Sequence, residues 1–338
     1  MSRIVDNPPT GGSPFVAHTG WAARLRPYVA IARPDHWFKN GFMLLGVVLA
    51  CFCYPEALSP GTFLVVLAGL GGTCLVASSN YVLNEILDAP TDRHHPQKRH
   101  RPVPSGQVAP VPAYALWLAL GAAGLTVAWA VGRPFFLSSL WLWCMGLAYN
   151  VPPLRTKELP YLDVLSESVN NPIRLLLGWF AVSSAEVPPV SLLVAYWMLG
   201  AFFMATKRFA EYRSIGDARL AGDYRRSFRF YDESKLLVSM VFYAIFSALF
   251  LGVFIIRYHL ELILSVPLVA GFFCYYLHVA LRPDSPVQHP ERLYRERGLM
   301  GYLGLCLAVF TLLMFVQIPA LYVLFNVRPA PIPPLWTF

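Results

Sequence analysis

Residues 78–102 read SSNYVLNEILDAPTDRHHPQKRHRP, directly after the apolar run GTFLVVLAGLGGTCLVA at 61–77. An apolar helix thus ends in Asn80, Asn84, Asp88 and Asp92, then passes into His94, His95, Lys98, Arg99, His100 and Arg101. The hydrocarbon core of a bilayer is crossed by about 20 mostly apolar residues. Residues 61–88 meet that length, so the acids stand where a membrane span meets its basic loop.

The rest of the chain repeats the pattern. Of 338 residues 56% are hydrophobic and 14% charged, against about 25% charged in soluble domains. Nine apolar stretches have spanning length, roughly 37–55, 61–88, 111–130, 134–150, 161–183, 190–209, 236–256, 260–281 and 300–325. Short polar loops leave no room for a soluble domain, so the predicted fold class is all-α, a single polytopic membrane domain. The start, MSRIVDNPPTGGSPFVAHTG, lacks the apolar core of a signal peptide and reads as a disordered tail before an amphipathic lead. The boundaries drawn are 1–36 for tail and lead, 37–326 for the membrane domain and 327–338 for a short tail. The six Cys lie in apolar spans or at their ends, form no zinc-type pattern and read as buried filler.

Charge sets the orientation. On alternate loops from the N-terminus the Lys and Arg counts are five, four, two, eight and four; the other side has Arg133, Arg257 and Arg328. Basic residues collect in cytoplasmic loops, so the N-terminus and the polar loops are expected to face the cytoplasm, in a bacterial cytoplasmic membrane. The net charge of +8 suits anionic membrane lipid and an anionic substrate. A nucleic-acid partner is not expected, because no soluble module is present to bind one.

Asn80, Asn84 and Asp88 are spaced i, i+4, i+8 and share one helix face; Glu85 points elsewhere. Pro90 is expected to stop or kink the helix, leaving Asp92 in the loop. Bare carboxylates at membrane depth are costly and repel each other. A divalent cation removes both problems, and magnesium takes one or two carboxylates together with substrate phosphates. The alternative is an ordinary polar helix end with Asp92 solvated. His94 and His95 suit solvent or phosphate better than a metal.

A second run, YNVPPLRTKELPYLDVLSESVNNPIRLLLGWF at 149–180, carries Asp163 and Glu167 at i, i+4, then Asn170 or Asn171 and Arg174 on the same stripe. It reads either as a second carboxylate cluster for magnesium with Arg174 on a phosphate, or as a structural salt bridge, Glu167 with Arg174 or across to another helix. Pro172 is a potential kink. Arg155 and Lys157 precede it in a short loop, suited to phosphate oxygens. A third run, ATKRFAEYRSIGDARLAGDYRRSFRFYDESK at 205–235, offers Lys207, Arg208 and Glu211 for substrate contact and Arg225, Arg226 and Arg229 as lipid-facing charge. Two acidic clusters at cytoplasmic helix ends, ringed by Lys and Arg, suit a diphosphate whose leaving group the metal neutralises. Tyr149, Tyr161 and Tyr212 read as interfacial belt residues.

NEILDAPTD resembles the N-D-x-x-D-x-x-x-D signature of the UbiA superfamily of intramembrane prenyltransferases, and KRHRPVPSG is similar to the R-x-R-P-x-x-x-G stretch that follows it there. The run at 149–180 looks like that family's second aspartate motif. The resemblance implies nine helices around a central cavity. It implies that Asn84, Asp88 and Asp92 bind a first magnesium–diphosphate and that Asp163 and Glu167 bind a second. Asp88, Asp92 and Asp163 are then the candidate catalytic residues. Lys39, Asn80, Asn84, Lys98, Arg99, Arg101, Arg155, Lys157, Asn170, Arg174, Lys207, Arg208 and Glu211 are candidates for substrate binding. Glu85 and Glu167 stand where many members have Asp.

RPDHWFKN at 33–40 and KRFAEY at 207–212 resemble the decaprenyl-phosphate phosphoribosyltransferase branch. That branch implies transfer of ribose 5-phosphate from phosphoribosyl diphosphate to a polyprenyl phosphate, with pyrophosphate released. The partners implied are a polyprenyl lipid, a diphosphate-bearing co-substrate and membrane lipid. Prenylation of an aromatic ring by the same fold, and a secondary transporter with intramembrane coupling charges, stay open beside it.

Overall fold

The computed structural model describes residues 21–93, 98–184, 186–288, 293 and 295–328. The expectations for residues 1–20, for His94 and His95, and for most of the C-terminal tail lie outside them. The described residues are all-helical: α1 (Trp21–Ala32), α2 (Met43–Cys53), α3 (Pro60–Asp92), α4 (Pro110–Val131), α5 (Arg133–Asn150), α6 (Leu162–Ser168), α7 (Asn170–Val182), α8 (Val190–Ile215), α9 (Ala218–Tyr224), α10 (Glu233–Tyr258), α11 (Val266–Ala280), α12 (Arg297–Phe315) and α13 (Pro319–Leu324).

Seven helical segments among the described residues are long and apolar enough to cross a membrane: Arg24–Cys53, Pro60–Asp92, Pro110–Val131, Val190–Ile215, Glu233–Tyr258, Leu260–Ala280 and Arg297–Phe315. Of the nine spans expected, the other two correspond to α5 and to a helix broken between α6 and α7. The break has a local cause. Pro172 offers no N–H to the Ser168 carbonyl, and the helix interrupts at Val169. Pro90, by contrast, does not end α3, which continues to Asp92, with the Arg93 N–H bonded to the Ala89 carbonyl. The start of α3 is set by Ser59, whose side chain accepts from Thr62 N at 3.1 Å, and by Pro60 in the first turn.

Two cores flank the interior. One joins α2, α3, α5 and α7 through Met43, Val76, Phe135, Ile173, Leu177 and Trp179. The other joins α8, α10, α11 and α12 through Phe202, Phe209, Met240, Tyr276 and Cys306. Outward faces are apolar as well: Phe63, Ile245 and Leu312 are each 63% exposed, as expected where lipid replaces water. All six Cys are free. Four are buried or half-buried, whereas Cys144 and Cys274 stand on the outer surface and not in the core.

Helices α2 and α7 cross with backbones in contact. A Cβ on Gly46 would overlap the Leu175 carbonyl, and one on Gly178 the Met43 carbonyl. Both obstacles are main chain, which cannot swing aside as a side chain can. Gly178→Ala is expected to lower stability by about 1–3 kcal/mol, the range for overpacking. Gly252→Ala, whose Cβ meets nothing within 4 Å, serves as control. Thermal unfolding in detergent checks this, and equal melting temperatures for the two variants would refute the close-crossing argument.

Candidate active site

The polar face of α3 forms three rungs against α5 and the loop after it. Asn80 Nδ2 donates to the Leu142 carbonyl at 2.9 Å, and Asn84 Nδ2 to Asn150 Oδ1 at 2.5 Å. Asp88 Oδ1 accepts from Lys157 Nζ at 2.5 Å and from Arg155 Nη2 at 3.3 Å. The face expected from the i, i+4, i+8 spacing is therefore real. Glu85, on another face, is buried and accepts from the Val103 N–H at 3.0 Å, which pins the loop after α3 to the helix. Gly146 makes the first rung possible, because a Cβ there would collide with the Asn80 amide.

Asp92 is the last helical residue and is not solvated. It is 3% exposed and accepts from Arg101 Nη1 at 2.8 Å, with Lys98 Nζ at 3.9 Å. Arg99 is exposed and bonds His100, so it stands apart from the acids. Lys157 also donates to Asn150 Oδ1 at 2.9 Å. Burial pushes the Lys157 amine below its ordinary pKa while Asp88 pulls it back up, and Lys98 is placed likewise beside Asp92. Arg155 sits at φ 30°, a strained backbone for a non-glycine residue. Its guanidinium bridges Asp88 and Glu158, the latter at 2.6 Å. Glu158 also takes Arg226 at 2.7 Å. Thr91, Pro152, Pro153, Arg155, Glu158 and Arg226 line an open cavity of about 600 Å³ next to this end.

The second cluster is built differently from the expectation. Asp163 has no exposed surface. Its Oδ1 accepts from Tyr231 Oη at 2.8 Å, and its Oδ2 from Ser227 Oγ at 3.1 Å and Arg208 Nε at 3.3 Å. Arg225 lies 3.8 Å away. Burial and the Asp163 carboxylate push the Tyr231 phenol well above its ordinary pKa, so it stays a donor. Glu167 accepts from Tyr149 Oη at 3.0 Å and Arg208 Nη2 at 3.1 Å. Arg208 is 1% exposed and reaches Glu211 as well, at 3.2 Å; Lys207 is 3.8 Å from Glu211. Arg208 is thus the buried centre of three carboxylates and not a substrate contact. Of the two salt bridges that the structural alternative allowed for Glu167, the one across to another helix is made, to Arg208 of α8, and among the described residues the one to Arg174 is not. Arg225 reaches inward to Asp163, the exposed Arg226 pairs with Glu158, and the exposed Arg229 pairs with Asp223 at 3.6 Å.

Deeper in the bundle, Arg174 donates from Nε to Asn40 Oδ1 at 3.1 Å and from Nη1 to the Asn170 carbonyl at 3.3 Å. Lys39 lies where Glu167, Lys207, Arg174 and Arg33 all act on it. Lys39, Tyr81, Asn84, Asp88, Tyr149, Glu167, Asn170, Arg174, Tyr196 and Lys207 are each half-buried. Asn80 and Asn170 each leave a buried amide oxygen without a donor, which native interiors rarely do.

These donors test the expected magnesium. Among the described residues no group of three or more His, Cys, Asp and Glu meets metal-site geometry. Asn84, Asp88 and Asp92 nonetheless supply oxygen only, the donor type magnesium selects, and Asp88 keeps 23% of its side chain accessible. Asn84 and Asp88 therefore fit the ion, and Asp92 offers it only Oδ1, since Oδ2 is held by Arg101. Asp163 does not fit, because protein donors already use both of its oxygens and no surface is left. Ser227 and Tyr231, which hold Asp163, are residues that sequence reasoning missed, and Tyr149, read as an interfacial belt residue, holds Glu167 instead. Tyr149 had one signal, its place beside Asn150 at the end of a span.

An all-helical bundle with helices of membrane-spanning length, and with oxygen donors and flanking cations gathered at one end, has the parts of an intramembrane transferase. A model of the UbiA prenyltransferase family matches residues 42–295, and the chain belongs to that family. It is 29% identical over 238 residues to nodulation protein NoeC of Azorhizobium caulinodans, covering 70% of this chain and 74% of that one. It is 28% identical over 235 residues to the decaprenyl-phosphate phosphoribosyltransferase of Mycolicibacterium smegmatis, covering 68% and 67%. The fold matches a UbiA homologue from Archaeoglobus fulgidus, solved with GPP and Mg2+, at TM-score 0.63 and 21% identity, over 86% of this chain and 100% of that one.

Proposed function

We propose that this protein cleaves a diphosphate donor and releases pyrophosphate, with phosphoribosyl diphosphate as donor and a polyprenyl phosphate as acceptor. The observation that carries the reaction class is the Asn84–Asp88–Asp92 row set against Lys157, Arg155 and Arg101. These are oxygen donors for a cation beside cations for phosphate oxygens. Asn84, Asp88 and Asp92 would hold magnesium, which when bound neutralises charge on the departing diphosphate. Lys157, Arg155 and Arg101 bind and orient phosphate oxygens, and the apolar walls of the bundle exclude water from the reacting carbon. Similarity to the mycobacterial phosphoribosyltransferase supports the donor and acceptor. The 23 basic residues on one set of loops support a cytoplasmic orientation for this end.

Prenylation of an aromatic ring is the second reading, favoured by the fold shared with a GPP-binding homologue. Purified protein with magnesium is given either phosphoribosyl diphosphate with a polyprenyl phosphate, or a polyprenyl diphosphate with 4-hydroxybenzoate. Pyrophosphate release in the first mixture alone is expected. Release in the second alone would replace the proposal with aromatic prenylation, and silence in both would revive the transporter reading.

A further inference from the structure

Most cations of the site have acids. Arg208 has three, Lys157 and Arg155 share Asp88, Arg101 has Asp92 and Lys207 faces Glu211 at 3.8 Å. Lys39 and Arg174 differ. Among the described residues, neither makes an ion pair, and the acceptors that Arg174 has are two amide oxygens, of Asn40 and Asn170. Both cations sit within membrane spans or the broken helix beside them, Lys39 within the span Arg24–Cys53 and Arg174 on α7. Glu167 acts on both without pairing with either, and an ionisable group at membrane depth is a functional group by default.

Arg174 is also held in place. Asn40 is 1% exposed and is itself fixed by Cys74 Sγ at 3.3 Å. A guanidinium has about five N–H donors, and two are spent on those amides, so the rest of the fork is free for a planar, bidentate partner. Arg33 stands over the Tyr81 ring at 5.8 Å and adds to the field at Lys39. Cys74 and Tyr81 precede Asp88 by fourteen and seven residues on α3, about 21 and 10 Å along the helix. The α3 residues touched by Asn40 and Arg33, which neighbour this pair, thus stand two to four turns from Asp88 along the helix.

We propose that Lys39 and Arg174 form a second anion subsite that takes a phosphate monoester. It rests on the donor–acceptor reading above, in which two substrates carry such a group, the lipid acceptor and the ribose 5-phosphate. Prenylation of 4-hydroxybenzoate would bring a carboxylate in place of one of these phosphates.

The test is calorimetric binding of farnesyl phosphate and of ribose 5-phosphate to purified protein in detergent, without magnesium. One of the two binds, and which one identifies the source. Lys39→Met and Arg174→Gln each weaken it by at least about tenfold, the scale for losing a charge-assisted hydrogen bond. Asp88→Asn leaves it within about threefold, because the subsites are separate. Among the described residues Lys39 makes no hydrogen bond, so its variant remains informative should Arg174→Gln fail to fold. Binding of neither monoester, binding indifferent to Lys39→Met, or an equal loss in Asp88→Asn would overturn the subsite. A wrong donor assignment shows otherwise, as intact monoester binding with no pyrophosphate released from phosphoribosyl diphosphate.

Discussion

Asp88→Asn is expected to lower magnesium-dependent pyrophosphate release by at least about a hundredfold, the scale for losing one preorganised electrostatic element of a transition state. Asp88 is the more accessible acid of the first row. Its Oδ1 meets Lys157 and Arg155, and its side chain is 23% exposed, whereas Asp92 is sealed behind Arg101. The substitution keeps shape and removes charge, so the polar rung survives while affinity for a divalent cation falls. Folding should persist, since α3 remains anchored by Asn80, Asn84 and Glu85. The informative pair of measurements is turnover at saturating magnesium and manganese binding followed by EPR. A variant that keeps more than about a tenth of wild-type turnover, or binds manganese as tightly as wild type, would take Asp88 out of the metal site.

The Asp88 row was legible because it is local. Asn80, Asn84 and Asp88 lie on one helix, and 3.6-residue periodicity fixes which side they share. Glu85 was separable on the same ground. Asp163 was not legible. Its spacing to Glu167 looks like a ligand pair, yet its partners Arg208, Ser227 and Tyr231 lie 45, 64 and 68 residues away. No helical period reports whether a buried carboxylate meets a cation of the solvent or a cation of the chain. The loop arginines failed for the same reason. Arg225 and Arg226 sit in a strongly basic stretch that reads as a head-group surface, and only the fold brings Asp163 and Glu158 against them. The spans fared better, because length and hydropathy are local quantities. The broken helix at Val169 was readable only as a proline in an otherwise apolar run.

Arg208→Met should cost the most stability of any single change here, about 3–5 kcal/mol, the range for removing one partner of a buried ion pair. Methionine fills much of the volume, so the loss isolates charge. Without the guanidinium, Asp163 keeps two neutral donors, Ser227 and Tyr231, with the Arg225 cation only at 3.8 Å. Glu167 keeps Tyr149, and Glu211 keeps Lys207 at 3.8 Å. Three carboxylates on two helices would then repel across α6 and α8. The segment carrying Ser227 and Tyr231 would loosen with them, since Asp163 is its inward anchor. Lys207→Met should cost much less, because Lys207 is half-buried and its one ion pair is long. The decisive comparison is a double-mutant cycle read by unfolding in detergent. Asp163→Asn added to Arg208→Met removes one of the stranded charges and should restore part of the lost stability, giving a coupling within the range of about 0.5–3 kcal/mol seen for contacting residues. Strict additivity of the two changes, or a melting temperature for Arg208→Met equal to that of Lys207→Met, would mean that Arg208 is not the hub that holds these acids together.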